Sequence, residues 1–388
     1  MDPKELLTRG VARVIPQKLG EEKLASGKPL RLYWGIDPTG SRIHVGHTVP
    51  MRKLQAFADA GHHVILVIGS FTAMIGDPSD RDSIRQPLTR EQVEANFRTY
   101  KEQASKVLDF STIEVRYNHE WLEKLTYRDI VEHASKFTVQ QMEERAMFAE
   151  RMAKDKPVSV HEFLYPLMVG YDSVVLDVDC ELGGTDQEFN MLAGRTMQKA
   201  FGKREKFVLT MRLIEGTDGR KMSKTYDNCV YLDDAPADMY GKLMSLKDEL
   251  IATYFECCTS VPMDEIKDME KHMKKGANPK EFKMRLSTEI VTMYHGADAA
   301  KHAASAFASV FTKGEAPEDM PEIRAKKGSA LIDVLVDARL VASKSEARRL
   351  IEQKGITLNN KVVQSTDAIV EEGVVKVGKR RFARFVLR

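Results

Sequence analysis

Cysteine is scarce in this chain. Four occur in 388 residues, at Cys180, Cys229, Cys257 and Cys258, and no two form a Cys-x-x-Cys pair. That pattern argues against a disulfide framework and against a zinc ribbon. Long apolar runs are also missing: the longest clear one, Val64 to Ile68, stops at Gly69, far short of the ~18 residues a membrane-crossing helix needs. The opening Met1-Asp2-Pro3-Lys4-Glu5 lacks the apolar stretch of a signal peptide, so a soluble, cytoplasmic protein with no membrane partner is expected. Net charge is nearly absent, +2 from 59 basic and 57 acidic side chains. What is present, 43% hydrophobic and 30% charged residues, is ordinary for a globular protein and excludes a largely disordered or fibrous one. The length suits two or three domains with ample core.

The small net charge hides an asymmetry. Residues Gly328 to Arg388 hold 12 basic against 7 acidic side chains, net +5, leaving −3 on the other 327 residues. A basic tail on a near-neutral body is the footprint of a segment that meets a polyanion, although a lysine-rich solvated surface gives the same count.

Three regions can be separated. Up to about Asn228, short apolar runs alternate with helical patterns, which predicts an α/β unit with a parallel sheet covered on both faces. Arg31 to Asp37 and Val64 to Gly69 read as buried strands, with a helix from His44 to Ala60 between them, a βαβ unit. Ile113–Tyr117 and Phe207–Met211 are further strands, and the polar helical stretch Tyr127 to Lys156 reads as an insertion. From about Tyr231 to Phe311 no convincing strand is found, and a helical domain is expected, broken at Asn278-Pro279 and Gly296. A linker rich in Pro, Gly and charge follows, Lys313 to Pro321. The third region begins near Ser329. Ser343-Lys344-Ser345-Glu346 reads as a capping box opening a helix that runs to Lys354, with Gly355 as its left-handed stop. Ile356–Leu358, Lys361–Val363 and Gly373–Val377 read as short strands, with Asn359-Asn360 as a turn.

Chemistry is expected beyond the first strand, because ligands of open α/β sheets bind outside the carboxyl ends of the strands. There the chain reads Asp37-Pro38-Thr39-Gly40, then His44-Val45-Gly46-His47. Two histidines three apart share a helix face. Their N–H groups and the helix's positive end suit a phosphate, and Gly46 would let a flat base approach the backbone. A metal pair is the competing reading, but it would need a third ligand at suitable spacing, and none is evident nearby. A second cluster, Lys221-Met222-Ser223-Lys224-Thr225, follows Gly216-Thr217-Asp218-Gly219-Arg220. Two lysines on a glycine-flanked loop could close over a polyphosphate; taken alone they would read as a solvated basic loop.

Taken together, His-x-Gly-His after the first strand and Lys-Met-Ser-Lys-Thr at the end of the α/β region resemble the signature pair of class I aminoacyl-tRNA synthetases. Tyr33-x-Gly-x-Asp37-Pro38-Thr39, Ile75-Gly76-Asp77-Pro78-Ser79, Tyr165 with Asp172, and Gly183-Gly184-Thr185-Asp186-Gln187 sharpen the resemblance to the tyrosine-specific family. The tail around Ser343 to Ile356 resembles the small RNA-binding domain shared with a ribosomal small-subunit protein. The resemblance implies a Rossmann-like catalytic domain over residues 1–228, with a helical insertion about 120–160. An all-α anticodon-recognition domain would follow over 229–315, and a small α+β RNA-binding domain over 329–388.

It also implies a reaction: L-tyrosine and ATP, the latter with Mg2+, form tyrosyl-adenylate, and the tyrosyl group passes to the 3′ end of tRNA(Tyr). No protein-bound metal and no covalent nucleophile are implied, and a homodimer is. By the same resemblance Thr39, His44, His47, Lys221, Lys224 and Thr225 serve the ATP phosphates and catalysis, while Asp37, Gly46 and Gly184 hold the nucleoside. Tyr33 and Asp172 would hold the substrate's phenol, and Asp77, Tyr165 and Gln187 its amino and carboxylate ends. Arg81 and Arg85 would meet the tRNA acceptor end, and Lys344, Arg348 and Arg349 the tRNA backbone. Two positions depart from the family pattern. Val169 stands where a glutamine usually helps bind the ammonium, a feature shared with the tryptophan-specific sister enzymes, and Thr225 replaces a serine. A non-catalytic RNA-binding factor descended from such an enzyme is the alternative from another class; the intact histidine and lysine pairs speak against it.

Overall fold

The structure, a computed structural model, describes residues 3–388 apart from 78–87, 144, 224–225, 310–319, 342 and 379–380. It divides into two compact units, Met1–Ala235 with Lys242–Tyr294, and Pro236–Gly241 with His295–Arg388.

The first unit is built on six strands: β1 (Val11–Ile15), β2 (Arg31–Ile36), β3 (His63–Ile68), β4 (Ile113–Tyr117), β5 (Cys180–Gly184) and β6 (Phe207–Met211). Their order in the sheet is β1-β6-β5-β2-β3-β4. All neighbours run parallel except β1, which lies antiparallel to β6. Five of the six residues of β3 and all of β6 are buried, as expected where helices cover both faces. The chain winds outward from β2 through β3 to β4, then returns to build β5 and β6 on the other side of β2. Strand order therefore reverses at β2/β5, which opens a crevice at their carboxyl ends. β1 and β5 escape a reading of apolar runs. Cys-Glu-Leu-Gly-Gly carries a charge and two glycines, and becomes a strand because β2 and β6 pair with it from both sides.

Helix α1 (Val45–Asp59) follows β2, with His44 at its N-cap. It buries residues all round, among them Val45, Val49, Leu54 and Phe57, because the helix Ile251–Cys258 packs on it as well. That helix closes its last turn on Arg9, whose guanidinium donates to the carbonyls of Glu256 and Thr259 at 3.0 and 2.9 Å. Packing of this kind draws Lys242–Tyr294 into the α/β unit. The stretch 127–156 forms three short helices, Tyr127–Ala134, Val139–Glu143 and Ala146–Ala153. Two longer helices carry functional residues, α2 (Val160–Leu176) and α3 (Glu188–Ala200), and they pack closely on each other.

Lys53 on α1 is fully buried, and its ammonium donates to the Glu5 carbonyl at 2.9 Å. Burial, with Arg9 nearby, pulls its pKa down to about 7. The unfolded chain keeps this proton to higher pH than the folded one, so the folded state gains stability as pH rises from about 7 towards the ordinary lysine range. Lys53→Met is expected to remove that rise. Urea melts at pH 7 and pH 9.5 measure it, and an unchanged difference between the two would contradict it.

The second unit contains a sheet ordered β7-β11-β10-β8-β9, from β7 (Glu322–Ala325), β8 (Ile356–Leu358), β9 (Lys361–Val362), β10 (Gly373–Val377) and β11 (Arg381–Leu387). Its core gathers Leu331, Leu335, Ile351, Ile356, Val375 and Phe385. The sheet of this unit starts before Ser329, because β7 pairs in parallel with β11. Helix α4 (Lys344–Glu352) is capped by Ser343, whose side chain accepts from the Glu346 N–H at 3.2 Å. Its end differs from the expected one. Lys354, at φ 55°, takes the left-handed position, and Gly355 follows it, donating to the Leu350 carbonyl at 2.7 Å. Asn359 and Asn360 both take positive φ, 51° and 62°, and make the tight β8–β9 turn.

Candidate active site

A cavity of about 820 Å3 lies at the strand reversal. The carboxyl ends of β2, β3 and β5 form its floor, the start of α1 and the loop at Lys221 its rim, and α2 one wall. Of the residues singled out in the sequence, Thr39, His44, His47 and Lys221 line it, as do Tyr33, Asp37 and Asp77. Tyr165, Asp172 and Gln187 complete the set on that wall and floor. Gly46 lies at the junction of the two signature segments. A Cβ there would fall 3.0 Å from His44 Nδ1 and 3.3 Å from Met222 Sδ, so a side chain at this position would press these segments apart by a few tenths of an ångström. Gly183 lines the cavity, while Gly184 beside it abuts Asp186. Arg81, Arg85, Lys224 and Thr225 lie outside the described residues. Lys344, Arg348 and Arg349 belong to the second unit.

The histidine rings stack, with centroids 3.7 Å apart and planes inclined by 20°. The His44 N–H donates to His47 Nδ1 at 3.3 Å, which places the proton of a neutral His47 on Nε2. On the adjoining loop, Lys221 Nζ sits 3.6 Å from Asp186 Oδ2. This end therefore offers N–H donors, a helix N-terminus and a cation, the chemistry a polyphosphate needs.

The floor is of another kind. Asp172 is buried; its Oδ1 accepts from Trp121 Nε1 at 2.7 Å and its Oδ2 from Asn118 Nδ2 at 3.4 Å. Burial pushes its pKa well above the usual carboxylate range, while these two bonds act in the opposite sense. Tyr33, wholly buried, places its hydroxyl 2.9 Å from Ser173 Oγ. Its position on β2 and the seven-residue spacing of Tyr165 and Asp172 on α2 bring an aromatic hydroxyl and a carboxylate to the same floor.

A second acidic group stands higher on the wall. Tyr165 donates to Asp37 Oδ2 at 2.8 Å, and Thr72 to Asp37 Oδ1 at 2.7 Å. Asp77 Oδ2 accepts from Gln187 Nε2 at 2.7 Å, and Asn190 holds the other end of that amide at 2.8 Å. Asp37 thus sits beside Tyr165. Gly69 makes room for it: a Cβ there would lie 1.8 Å from Asp37 Oδ1. Val169 adds an apolar surface to the cavity. Thr72, Asn118, Trp121 and Arg145, the last 3.5 Å from Asp77, stand outside the sequence motifs. Asn118 and Trp121 follow directly from the end of β4, and that placement was the available signal.

Comparison with known proteins decides the family. The model described as tRNA synthetases class I (W and Y) matches residues 25–312. This chain belongs to that family. A second model, the tyrosine–tRNA ligase SYY-like C-terminal domain, matches residues 313–384 of the synthetase. Among curated relatives, a tyrosine–tRNA ligase of Thermotoga maritima is 44% identical, over 99% of this chain and 98% of its own. One of Burkholderia lata is 46% identical, over 98% and 94%. The solved tyrosyl-tRNA synthetase of Archaeoglobus fulgidus, complexed with L-tyrosine, shares the synthetase's fold with a TM-score of 0.64 at 20% identity, over 78% of this chain and 100% of that one.

Proposed function

We propose that this synthetase is a tyrosine–tRNA ligase that activates L-tyrosine with ATP and transfers it to the 3′ end of tRNA(Tyr). One observation carries the reading: donor groups suited to a triphosphate and a buried hydroxyl–carboxylate floor share one cavity. The phenol of tyrosine rests against Tyr33 and Asp172. Its ammonium meets Asp37, Asp77 and Tyr165, and two carboxylates there make up for the hydrogen bonds that Val169 cannot give. Its carboxylate then faces the α-phosphate. ATP enters with its Mg2+ as substrate, its phosphates on Thr39, His44 and His47, with Lys221, Lys224 and Thr225 closing over the departing pyrophosphate and Gly46 and Gly184 beside the nucleoside. Catalysis is positioning plus stabilisation of the charge that moves onto pyrophosphate.

The regions 1–228, 229–315 and 329–388 are assigned to catalysis, anticodon recognition and RNA binding. Arg81 and Arg85 serve the acceptor end. The exposed Arg348 and Arg349 on Lys344–Glu352 contact tRNA phosphates; Lys344, paired with Asp333 at 2.7 Å, contributes less. Tyr127, Val131 and Val139 expose apolar surface on the 127–143 helices, which supports a homodimer joined there. No helix among the described residues is long and apolar enough to cross a membrane, and the enzyme is assigned to the cytoplasm, where its substrates are. The test is ATP–pyrophosphate exchange with tyrosine, phenylalanine and tryptophan, followed by charging of tRNA(Tyr). Exchange driven by tyrosine is expected; its complete absence, with RNA binding preserved, would turn the reading to a non-catalytic factor. Arg348→Ala with Arg349→Ala is expected to leave exchange unchanged, to raise the KM for tRNA by about tenfold and to weaken its salt dependence. Unchanged charging at all salt concentrations would remove these arginines from the interface.

A further inference from the structure

The loop that carries Lys221 is held by one buried amide. Asn228 is 2% exposed, and among the described residues it is its neighbours Lys221, Met222, Ser223, Cys229 and Tyr231 that line the cavity. Asn228 Nδ2 donates to Asp218 Oδ1 at 2.8 Å, to the Lys221 carbonyl at 3.1 Å and, at longer range, to the Arg220 carbonyl at 3.3 Å. Its Oδ1 accepts from the Ser223 N–H at 2.9 Å, and its backbone carbonyl from the Thr217 N–H at 3.0 Å. A backbone N–H can only donate, so the amide is fixed with its oxygen towards Ser223 and its nitrogen towards the three acceptors. The bond from Asn228 above all, with those from Arg220, holds the pKa of Asp218 down to about 2, so this partner stays an ionised acceptor.

Room for that amide is built into the loop. A Cβ on Gly216 would lie 2.5 Å from both Cγ and Nδ2 of Asn228 and 2.6 Å from its carbonyl oxygen. Just past Asn228 the chain meets the histidine segment. The Val230 carbonyl accepts from the Val45 N–H at 2.9 Å, the Leu232 N–H donates to the Ile43 carbonyl at 2.9 Å, and Tyr231 forms an antiparallel bridge with His44. The short stretch from Asn228 to Leu232 is thus bonded at one end to the Lys221 loop and at the other to the start of α1. The base of the loop is tied separately, by the hydroxyl of buried Tyr254, which donates to the Glu215 carbonyl at 2.6 Å. That leaves Asn228 to hold the residues nearest Lys221.

The Lys221 side chain is 55% exposed, so where its ammonium can reach is set by where its backbone stands. Stabilisation of moving charge needs a group placed in advance, and a displacement of about 1 Å can cost about a hundredfold in rate. We propose that Asn228 is a positioning residue for adenylate formation, whose amide holds the Lys221 backbone in register with His44 and His47. It touches no substrate and acts through Lys221. The inference rests on the assignment of Lys221 to the ATP phosphates. Tyrosine is assigned to the floor of the cavity, away from this loop, so its affinity should not depend on the amide.

Single-turnover formation of adenylate at pH 8, set against equilibrium binding of tyrosine, tests it on the full-length wild type, Asn228→Ala, Asn228→Asp, Lys221→Ala and the Asn228→Ala/Lys221→Ala double variant. Asn228→Ala is expected to slow adenylate formation about thirtyfold while tyrosine affinity changes by less than about twofold. Lys221→Ala is expected to slow it about a hundredfold. The double variant should then fall within about threefold of Lys221→Ala, because the amide has no lysine left to place. Asn228→Asp keeps the shape and the acceptor for Ser223 but loses the N–H donors. It is expected to be at least as slow as Asn228→Ala, and it decides the matter if the alanine variant does not fold. Losses that multiply in the double variant, to about three-thousandfold, would overturn the proposal. A wild-type rate in Asn228→Asp would do the same. So would parallel losses of rate and tyrosine affinity with a lowered melting temperature, the mark of a structural role. An unchanged rate in Lys221→Ala would remove that lysine from the phosphates, and the proposal with it, while tyrosine-driven exchange in the wild type would still stand for the ligase reading.

Discussion

His47→Ala is expected to slow tyrosyl-adenylate formation by about a hundredfold while tyrosine binding changes by less than about twofold. The imidazole stacks on His44 at the start of α1, and the His44 N–H at its Nδ1 sets the proton on Nε2. A donor fixed in this way needs no rearrangement as charge moves from the α-phosphate to the leaving pyrophosphate. Removing one such preorganised donor costs roughly 10²–10³ in rate. Tyrosine is assigned to the floor formed by Tyr33 and Asp172, so its affinity should be nearly unaffected. Single-turnover formation of adenylate, set against equilibrium binding of tyrosine, separates the two effects. Parallel losses in rate and in tyrosine affinity would place His47 against the amino acid instead.

Asp172→Ala is expected to lower kcat/KM for tyrosine by about a hundredfold with little change for phenylalanine, collapsing the preference between them. The carboxylate is held from behind by Trp121 and Asn118, leaving its remaining acceptor capacity for the substrate. A hydrogen bond to a charged group contributes about 1.5–3 kcal/mol, which spans the expected loss. The substitution also strands the buried Trp121 N–H, and should cost about 1–3 kcal/mol of stability. Asp172→Asn keeps an acceptor for Trp121 and is expected to recover most of the stability and part of the preference. Exchange assays with both amino acids, alongside melting curves, check each part; intact discrimination in the alanine variant would move the phenol contact elsewhere.

Much of this site can be read from the linear chain because its members come in short, ordered segments. His44 and His47 belong to one helix start, Tyr165 and Asp172 to one helix face, and Lys221 to one glycine-flanked loop. β2, β3 and β6 are legible as apolar runs of strand length, and β4 as an alternation of apolar and charged residues. β11 escapes that reading, because its Arg381, Ala383 and Arg384 interrupt any apolar run, although Ala383 and Phe385 are buried in the structure. Other parts depend on contacts between distant segments. Asp37, which the sequence places among the nucleoside contacts, also bonds Tyr165, a hundred and more positions away in the chain, because Gly69 opens the space it occupies. Lys206, alone in the sequence, reads as one more surface lysine; in the fold it is buried against Glu181 of β5, Ser173 of α2 and Gly194 of α3.

Alternation of apolar runs and helical periods was enough to determine the parallel α/β body and the basic tail, and residue types at fixed short spacings, through their family resemblance, picked out the two segments assigned to ATP. Those features depend on neighbours within about one turn or one strand, so local chemistry specifies them. Tertiary structure alone decided that β5 is a strand, that Asp37 faces Tyr165, and that Ser173, Glu181 and Lys206 stand behind Tyr33. Each of these depends on which groups burial brings into hydrogen-bond range, and separation along the chain carries no record of that distance.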